Sequence, residues 1–144
     1  MYVDSEHLAE WLSSGRLRRG PVEFSSEFDS FLCGLPWLPS RVNWSSMPNV
    51  TFHYEKEGWS GELALQWALK NGFDEFESVF LMYSASESGL ICSTSDAFVE
   101  LDFLTMGRVH PAYLCGIRQE GGAEVIHFEK FAEWDGFSVL VTRS

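Results

Sequence analysis

The sequence predicts one α+β domain over residues 1–144, in which short N-terminal helices and one central helix pack on a mainly antiparallel sheet formed by the C-terminal half. Helical spacing and helix-end signals are concentrated before residue 73, whereas β-branched and aromatic runs separated by Gly, Ser and Asp follow residue 78. The length of 144 residues and the 45% hydrophobic fraction are typical of a single globular core. No linker or repeat interrupts the chain.

Two short helices are predicted near the N-terminus. Asp4 is placed to cap the first helix, whose apolar residues follow helical spacing and which ends at Gly15. The second helix is expected to begin at Ser25 or Ser26. The two prolines within residues 35–39 fix the backbone outside helical geometry, so an irregular segment is expected there.

A strand and the clearest helix of the chain come next. Residues 50–55 alternate between apolar and polar side chains, which is the period-two pattern of a half-buried strand. Ser60 then caps a helix that carries Glu62 in its first turn. Lys70 in the last turn and Gly72 just beyond agree with the dipole and capping rules, so this helix is predicted at both ends.

The C-terminal half predicts an antiparallel meander. Residues 79–83 are continuously apolar, as in a central strand covered on both faces, and residues 84–89 turn the chain into a second strand at 90–92. Further strands are expected at residues 113–118, 124–128 and 137–142, joined by turns at Gly121-Gly122 and Asp135-Gly136.

Residues 97–104 favour a strand because apolar side chains recur at every second position, although Asp96 as the cap of a helix is the open alternative. On a strand, Glu100 and Asp102 would share one face at roughly 7 Å. This is the spacing of the two carboxylates of a glycoside hydrolase. Any solvent-facing strand edge offers the same pair, so we interpret the two acids as a charged surface.

The net charge of the chain indicates which kind of partner it can bind. The chain has 21 Asp and Glu against 10 Lys and Arg, a formal net charge of −11, which would repel nucleic acid and anionic membrane surfaces. Residues 71–107 contain no Lys or Arg. We predict that the acids of this stretch form a surface for a basic protein partner: Asp74, Glu75, Glu77, Glu87, Asp96, Glu100 and Asp102.

The first residues and the cysteines favour a cytoplasmic protein. Residues 1–7 lack the basic-then-apolar order of a secretory signal, and no apolar run approaches the ~20 residues of a membrane-spanning helix. Cys33, Cys92 and Cys115 are odd in number and form no CxxC pair. Each lies among apolar neighbours, so all three are expected to be reduced core thiols.

Catalytic and metal-binding patterns do not stand out. The 4 histidines lack the i, i+4 or HxH spacing of a metal site. Cys115 lies five residues after His110, which on one strand places the two side chains on opposite faces. The glycines form no phosphate-binding motif. We therefore expect no metal, no cofactor and no enzymatic activity.

The aromatic content, 15% of the chain, is the other marked feature. Most of these rings must fill the core, because aromatic side chains bury the largest areas. Trp44 and Trp59 adjoin predicted loops, and Trp134 flanks the Asp135-Gly136 turn. These three tryptophans are candidate exposed anchors at a protein interface.

In size, charge and fold class the chain resembles the small acidic immunity proteins that bacteria make to neutralise basic nuclease toxins. The resemblance implies a cytoplasmic inhibitor that occludes a basic toxin domain, and it transfers no individual site residue. The alternatives are an uncharacterised small acidic enzyme and an adaptor or structural subunit. An adaptor is expected to carry a contiguous exposed apolar patch, and the oligomeric state stays open.

Overall fold

The computed structural model describes residues 5–39, 41–55, 59–105, 111–136 and 139–143. Within these residues, seven strands form one antiparallel sheet of order β1-β4-β3-β5-β6-β7-β2. The strands are β1 Leu17–Arg19, β2 Val50–Tyr54, β3 Ser78–Met82, β4 Leu90–Ser93, β5 Ala112–Glu120, β6 Ala123–Trp134 and β7 Val139–Arg143. The helices are α1 Ser5–Ser13, α2 Val22–Cys33, α3 Gly61–Lys70, α4 Thr94–Val99 and α5 Leu101–Thr105. The predicted α+β class is confirmed.

The helices cover both faces of the sheet, because the central strands are apolar on both sides. Along β3, Leu81 belongs to a core cluster shared with α1, α3, α4 and α5, whereas Phe80 and Met82 belong to a second cluster on the opposite face. That second cluster contains Phe28 of α2 and the irregular segment after it. The protein is therefore a three-layer arrangement with most helices on one side.

Helix α3 confirms the prediction made from its end signals. The Ser60 hydroxyl accepts a hydrogen bond from the Leu63 N–H at 3.5 Å, and Lys70 is the last helical residue. Ala64 and Ala68 are the fully buried residues of its packed face, and Leu65 and Trp67 pack beside them half-buried. The small alanine side chains let α3 approach α4 closely, and a Cβ on Gly61 would lie 2.0 Å from the Val99 carbonyl oxygen.

The predicted antiparallel strands at residues 79–83, 90–92, 113–118 and 124–128 are confirmed, but they do not form a simple meander, because β5 pairs with β3 rather than with β4. Strands β3 and β4 pair as a hairpin, and β5 turns into β6 through Gly121 and Gly122, whose φ angles are 60° and 82°. Strand β7 pairs with β6 after the turn at Asp135. The start of the last predicted strand, residues 137–138, and the predicted cap Asp4 lie outside the described residues.

The strand predicted at residues 97–104 is wrong, because this segment forms α4 and α5. The Ser93 hydroxyl caps α4 by accepting a hydrogen bond from the Asp96 N–H at 3.1 Å, so Asp96 is not the cap. The buried positions follow helical spacing rather than alternation: Ala97, Phe98, Leu101, Leu104 and Thr105. Glu100 and Asp102 therefore do not share a strand face.

Two other N-terminal details differ from expectation. Helix α2 begins at Val22, before the predicted Ser25 or Ser26, and Pro21 with φ −60° and ψ 143° is its N-cap residue. Strand β1 was not predicted. Its Leu17 is buried and pairs with Cys92 of β4, so a tertiary contact creates this strand.

Strand β2 is confirmed, but its more apolar face points to solvent. Phe52 and Tyr54 are exposed, whereas His53 on the other side packs against Trp59 and Trp67 with ring centroids 5.9 and 5.8 Å away. The strand lies at the end of the sheet next to β7.

The thiols differ among themselves. Cys92 and Cys115 are buried as expected, whereas Cys33 at the end of α2 is exposed, so its assignment to the core is wrong. Its Sγ lies 3.7 Å from an Asp29 carboxylate oxygen on the preceding helical turn.

Candidate protein-binding surface

Helix α4 brings the acids of the base-free stretch together at its N-terminal end. The Thr94 N–H donates to the Glu77 carbonyl oxygen at 3.0 Å, and the Thr94 hydroxyl donates to the Phe76 carbonyl oxygen at 2.6 Å. Phe73 also packs on Phe98 of α4, with ring centroids 5.0 Å apart. The turn of residues 73–77 is thereby held beside α4.

The C-terminal end of α4 carries more acids. Glu100 follows α4 directly, and Asp102 lies in the first turn of α5, where its carboxylate accepts a hydrogen bond from the Phe103 N–H at 2.8 Å. The close approach of Gly61 to Val99 places Glu62, in the first turn of α3, beside this end. Sequence reasoning noted Glu62 only as a dipole partner of its own helix.

We call this surface the acidic ridge. Its members share a position on or beside α4 and α5: Asp74, Glu75, Glu77, Asp96, Glu100, Asp102 and Glu62. Six of the seven acids predicted to form one surface thus lie on α4 and α5 or in the segments beside them, rather than on neighbouring strands of the sheet.

Glu87 does not join the ridge. It lies in the turn between β3 and β4, and its carbonyl oxygen accepts a hydrogen bond from Ser25 of α2 at 2.6 Å. Strand β3 separates it from Glu77, a distance of about 17 Å for five residues of strand rise. Glu87 therefore belongs to the layer on the other face of the sheet.

Arg16 partly neutralises the ridge. Its guanidinium donates two hydrogen bonds of 2.9 Å to Asp96, and its carbon Cζ lies 3.6 Å from the centre of the Trp11 ring. The hydrogen bonds from Arg16 lower the pKa of Asp96. This bidentate ion pair connects the N-terminal segment to α4, and it leaves Asp96 less available to a partner than the other acids of the ridge.

A groove adjoins the N-terminal end of the ridge. It has a volume of about 540 Å³ and mixed charges, since Arg118 lies 3.7 Å from Glu75 and Arg18 donates to both carboxylate oxygens of Glu124. Its lining comprises Arg18, Glu75, Glu77, Ser78, Ile117, Arg118, Gln119 and Glu124. These pairs with arginines of the same chain occupy Glu75 and Glu124, as Arg16 occupies Asp96.

Two of the three candidate tryptophans are buried. Trp44 is buried and stacks on Phe131 with centroids 5.1 Å apart. Trp134 is also buried, and its indole N–H donates to the Thr105 hydroxyl at 2.9 Å. Trp59 is half-buried and packs on Trp134 at 4.3 Å between centroids. The expectation of three exposed rings is wrong for Trp44 and Trp134.

Two histidines outside the ridge are paired with glutamates. The His53 Nε2 lies 2.8 Å from Glu55, whose other oxygen accepts the Ser60 N–H at the start of α3. His127 pairs with Glu120 at 2.6 Å on the β5–β6 hairpin. Among the described residues, no group of three or more His, Cys, Asp and Glu side chains is arranged to hold a metal ion. The pair predicted from spacing, His110 and Cys115, includes a residue outside the described ranges.

The buried nucleophiles are held in their neutral forms. Burial raises the pKa of the Cys92 thiol to about 12 and that of the Cys115 thiol well above its ordinary value. Burial, followed by the nearby Glu133 carboxylate, also raises the pKa of the Tyr113 hydroxyl. A thiolate or phenolate nucleophile is disfavoured at all three positions.

Comparison with models of protein families and with curated proteins finds no match for this chain. No helix in the described part of the chain is long and apolar enough to cross a bilayer.

Proposed function

We propose that the protein binds a basic protein in the cytoplasm and occludes it, as small acidic immunity proteins do with basic toxin domains. The observation that supports this most is the acidic ridge, where Asp74, Glu77, Glu100 and Asp102 lie on α4 and α5 or beside them. The nearby Arg16 and Arg118 are already engaged by Asp96 and Glu75.

The negative charge of this surface would speed its association with a basic protein. A chain with a net charge of −11 attracts a basic partner over the Debye length, and charged patches of opposite sign raise the association rate. The ridge acids are exposed or half-buried, so each one is expected to contribute under about 1 kcal/mol when it stays at the rim of the interface. Acids that the partner desolvates contribute several kcal/mol.

The test begins with the gene immediately upstream in the native genome. If it encodes a protein with a basic C-terminal domain, that domain is purified and its association with the chain is followed by stopped-flow fluorescence across ionic strengths. The association rate is expected to fall as salt rises, and co-expression of the chain is expected to relieve the domain's toxicity.

Charge reversal locates the interface. Glu100→Lys with Asp102→Lys is expected to slow association by roughly tenfold. The matched control is Glu23→Lys with Glu27→Lys, which makes the same change in net charge on exposed positions of α2, across the sheet. A salt-independent rate, or equal losses in the two double variants, would remove the ridge as the binding surface.

A further inference from the structure

The second unusual surface of the protein is apolar. Four exposed apolar side chains belong to β2 or to the irregular segment after α2, with exposed fractions of 41% for Trp37, 46% for Leu38, 57% for Phe52 and 60% for Tyr54. Leu38 and Phe52 line one shallow groove of about 230 Å³ together with Trp44. We call these four residues the β2 patch. They are four of the eight large apolar side chains exposed in the described part of the chain.

The β2 patch lies in a stretch without negative charge. Residues 30–54 contain no Asp or Glu, although the chain has 21 such residues in total. Arg41, the one basic residue of this stretch, pairs with the buried Glu133 at 2.6 Å. The patch is therefore close to neutral on a strongly acidic molecule, which makes it unsuited to attracting a basic partner.

Strand β2 also offers main-chain groups. It lies at the end of the sheet and pairs with β7 on one side, while its other side has no strand neighbour in the described residues. An edge strand with apolar neighbours is a template for pairing with another strand. Antiparallel pairing of two copies over the full strand would place Phe52 opposite Phe52 and Val50 opposite Tyr54.

We infer that two copies of this chain associate through β2 and the β2 patch, so that the two sheets become continuous. Neutrality favours a second copy as the occupant, because two chains of charge −11 meet with least repulsion where neither presents an acid. The inference does not depend on the proposed basic partner.

The exposed area sets the expected strength. Large aromatic side chains present roughly 150–250 Å² each, so the half-exposed rings of Trp37, Phe52 and Tyr54 offer about 300 Å². Leu38 and the main chain of β2 add to this. A standard stable interface buries about 800 Å² on each partner, so the dimer is expected to be weak, with a Kd of about 10–100 µM.

Sedimentation velocity on the purified full chain from about 1 to 200 µM tests the inference across the expected dissociation constant. The wild-type chain is expected to shift from monomer to dimer, and Phe52→Asp and Tyr54→Glu to remain monomeric. Val22→Asp is the matched control, because Val22 is exposed to 42% at the start of α2, just after β1 at the opposite edge of the sheet from β2. Thermal unfolding by circular dichroism checks that each variant is folded. Two patch variants keep the test decisive if one of them fails to fold.

The dependence of dimer formation on salt concentration is a second test, because salt is expected to affect the dimer and the basic partner in opposite directions. Screening weakens the repulsion between two acidic chains, so the dimer is expected to strengthen as salt rises, whereas binding of a basic partner weakens. A monomer at every concentration, dimers in both patch variants, or loss of the dimer in Val22→Asp overturns the inference. Loss of only the basic partner in the patch variants assigns the patch to that partner and also overturns it.

Discussion

Glu133 is the most deeply buried acid in the described part of the chain. It is 1% exposed, and it accepts hydrogen bonds from the Tyr113 hydroxyl at 2.7 Å and the Val42 N–H at 3.3 Å, while Arg41 lies 2.6 Å away. Glu133→Ala leaves the buried Tyr113 hydroxyl and the Arg41 guanidinium without this acceptor. Breaking a buried charge pair costs about 3–5 kcal/mol. The Arg41 side chain is 37% exposed and regains water, so a loss near 3 kcal/mol is expected.

Urea unfolding followed by tryptophan fluorescence measures this loss. Glu133→Gln is the control, since it keeps the shape and an acceptor for Tyr113 and is expected to cost about 1–2 kcal/mol, in the range of a single hydrogen bond. Tyr113→Phe is expected to cost a similar amount, because it removes one donor and leaves Glu133 paired with Arg41. A Glu133→Ala variant within about 0.5 kcal/mol of wild type would refute the reasoning, since surface substitutions cost that little.

Two further predictions concern titration and thiol reactivity. Because Arg16 lowers the pKa of Asp96 below 3.8, the pair stabilises the fold above that pH and its contribution is lost as pH falls further. Asp96→Asn is expected to lower stability by under about 1 kcal/mol at neutral pH and to match wild type at strongly acidic pH, as measured by urea unfolding; a constant difference at all pH values contradicts this. In the native protein at mildly alkaline pH, a thiol reagent is expected to modify Cys33 first, while Cys92 and Cys115 react only after unfolding. Rapid reaction of all three thiols speaks against their burial.

Local signals were sufficient for elements whose ends are set by their own residues. Ser60, Lys70 and the turn glycines Gly121 and Gly122 define α3 and the β5–β6 hairpin without tertiary help. Residues 97–104 were wrongly predicted as a strand because the spacing of their apolar side chains fits both the two-residue period of a strand and the 3.6-residue period of a helix. The decision depends on Ser93 as cap and on the closeness of α3.

The sequence predicted which acids belong to the candidate site but not how they are arranged in space. A base-free stretch identifies the acids, but only the fold shows that α4 holds the turn of residues 73–77 beside Asp96 and places Glu62 near Glu100. The exposure of individual aromatic rings could not be predicted from the sequence, because it depends on which helices or loops cover each part of the sheet. Trp44 is covered by its own core cluster, whereas Phe52 at the outer strand is not.

The two outer strands of the sheet differ in a way that bears on handling of the protein. Strand β1 has three residues, two of them arginines, and it covers β4, whose Leu90, Ile91 and Cys92 are buried. Short, charged outer strands resist pairing with other chains. Cleavage after β1 would expose an apolar strand of the kind that seeds aggregation, while the acids of the ridge would stay in place. The N-terminal segment is thus expected to protect β4 from pairing with other chains.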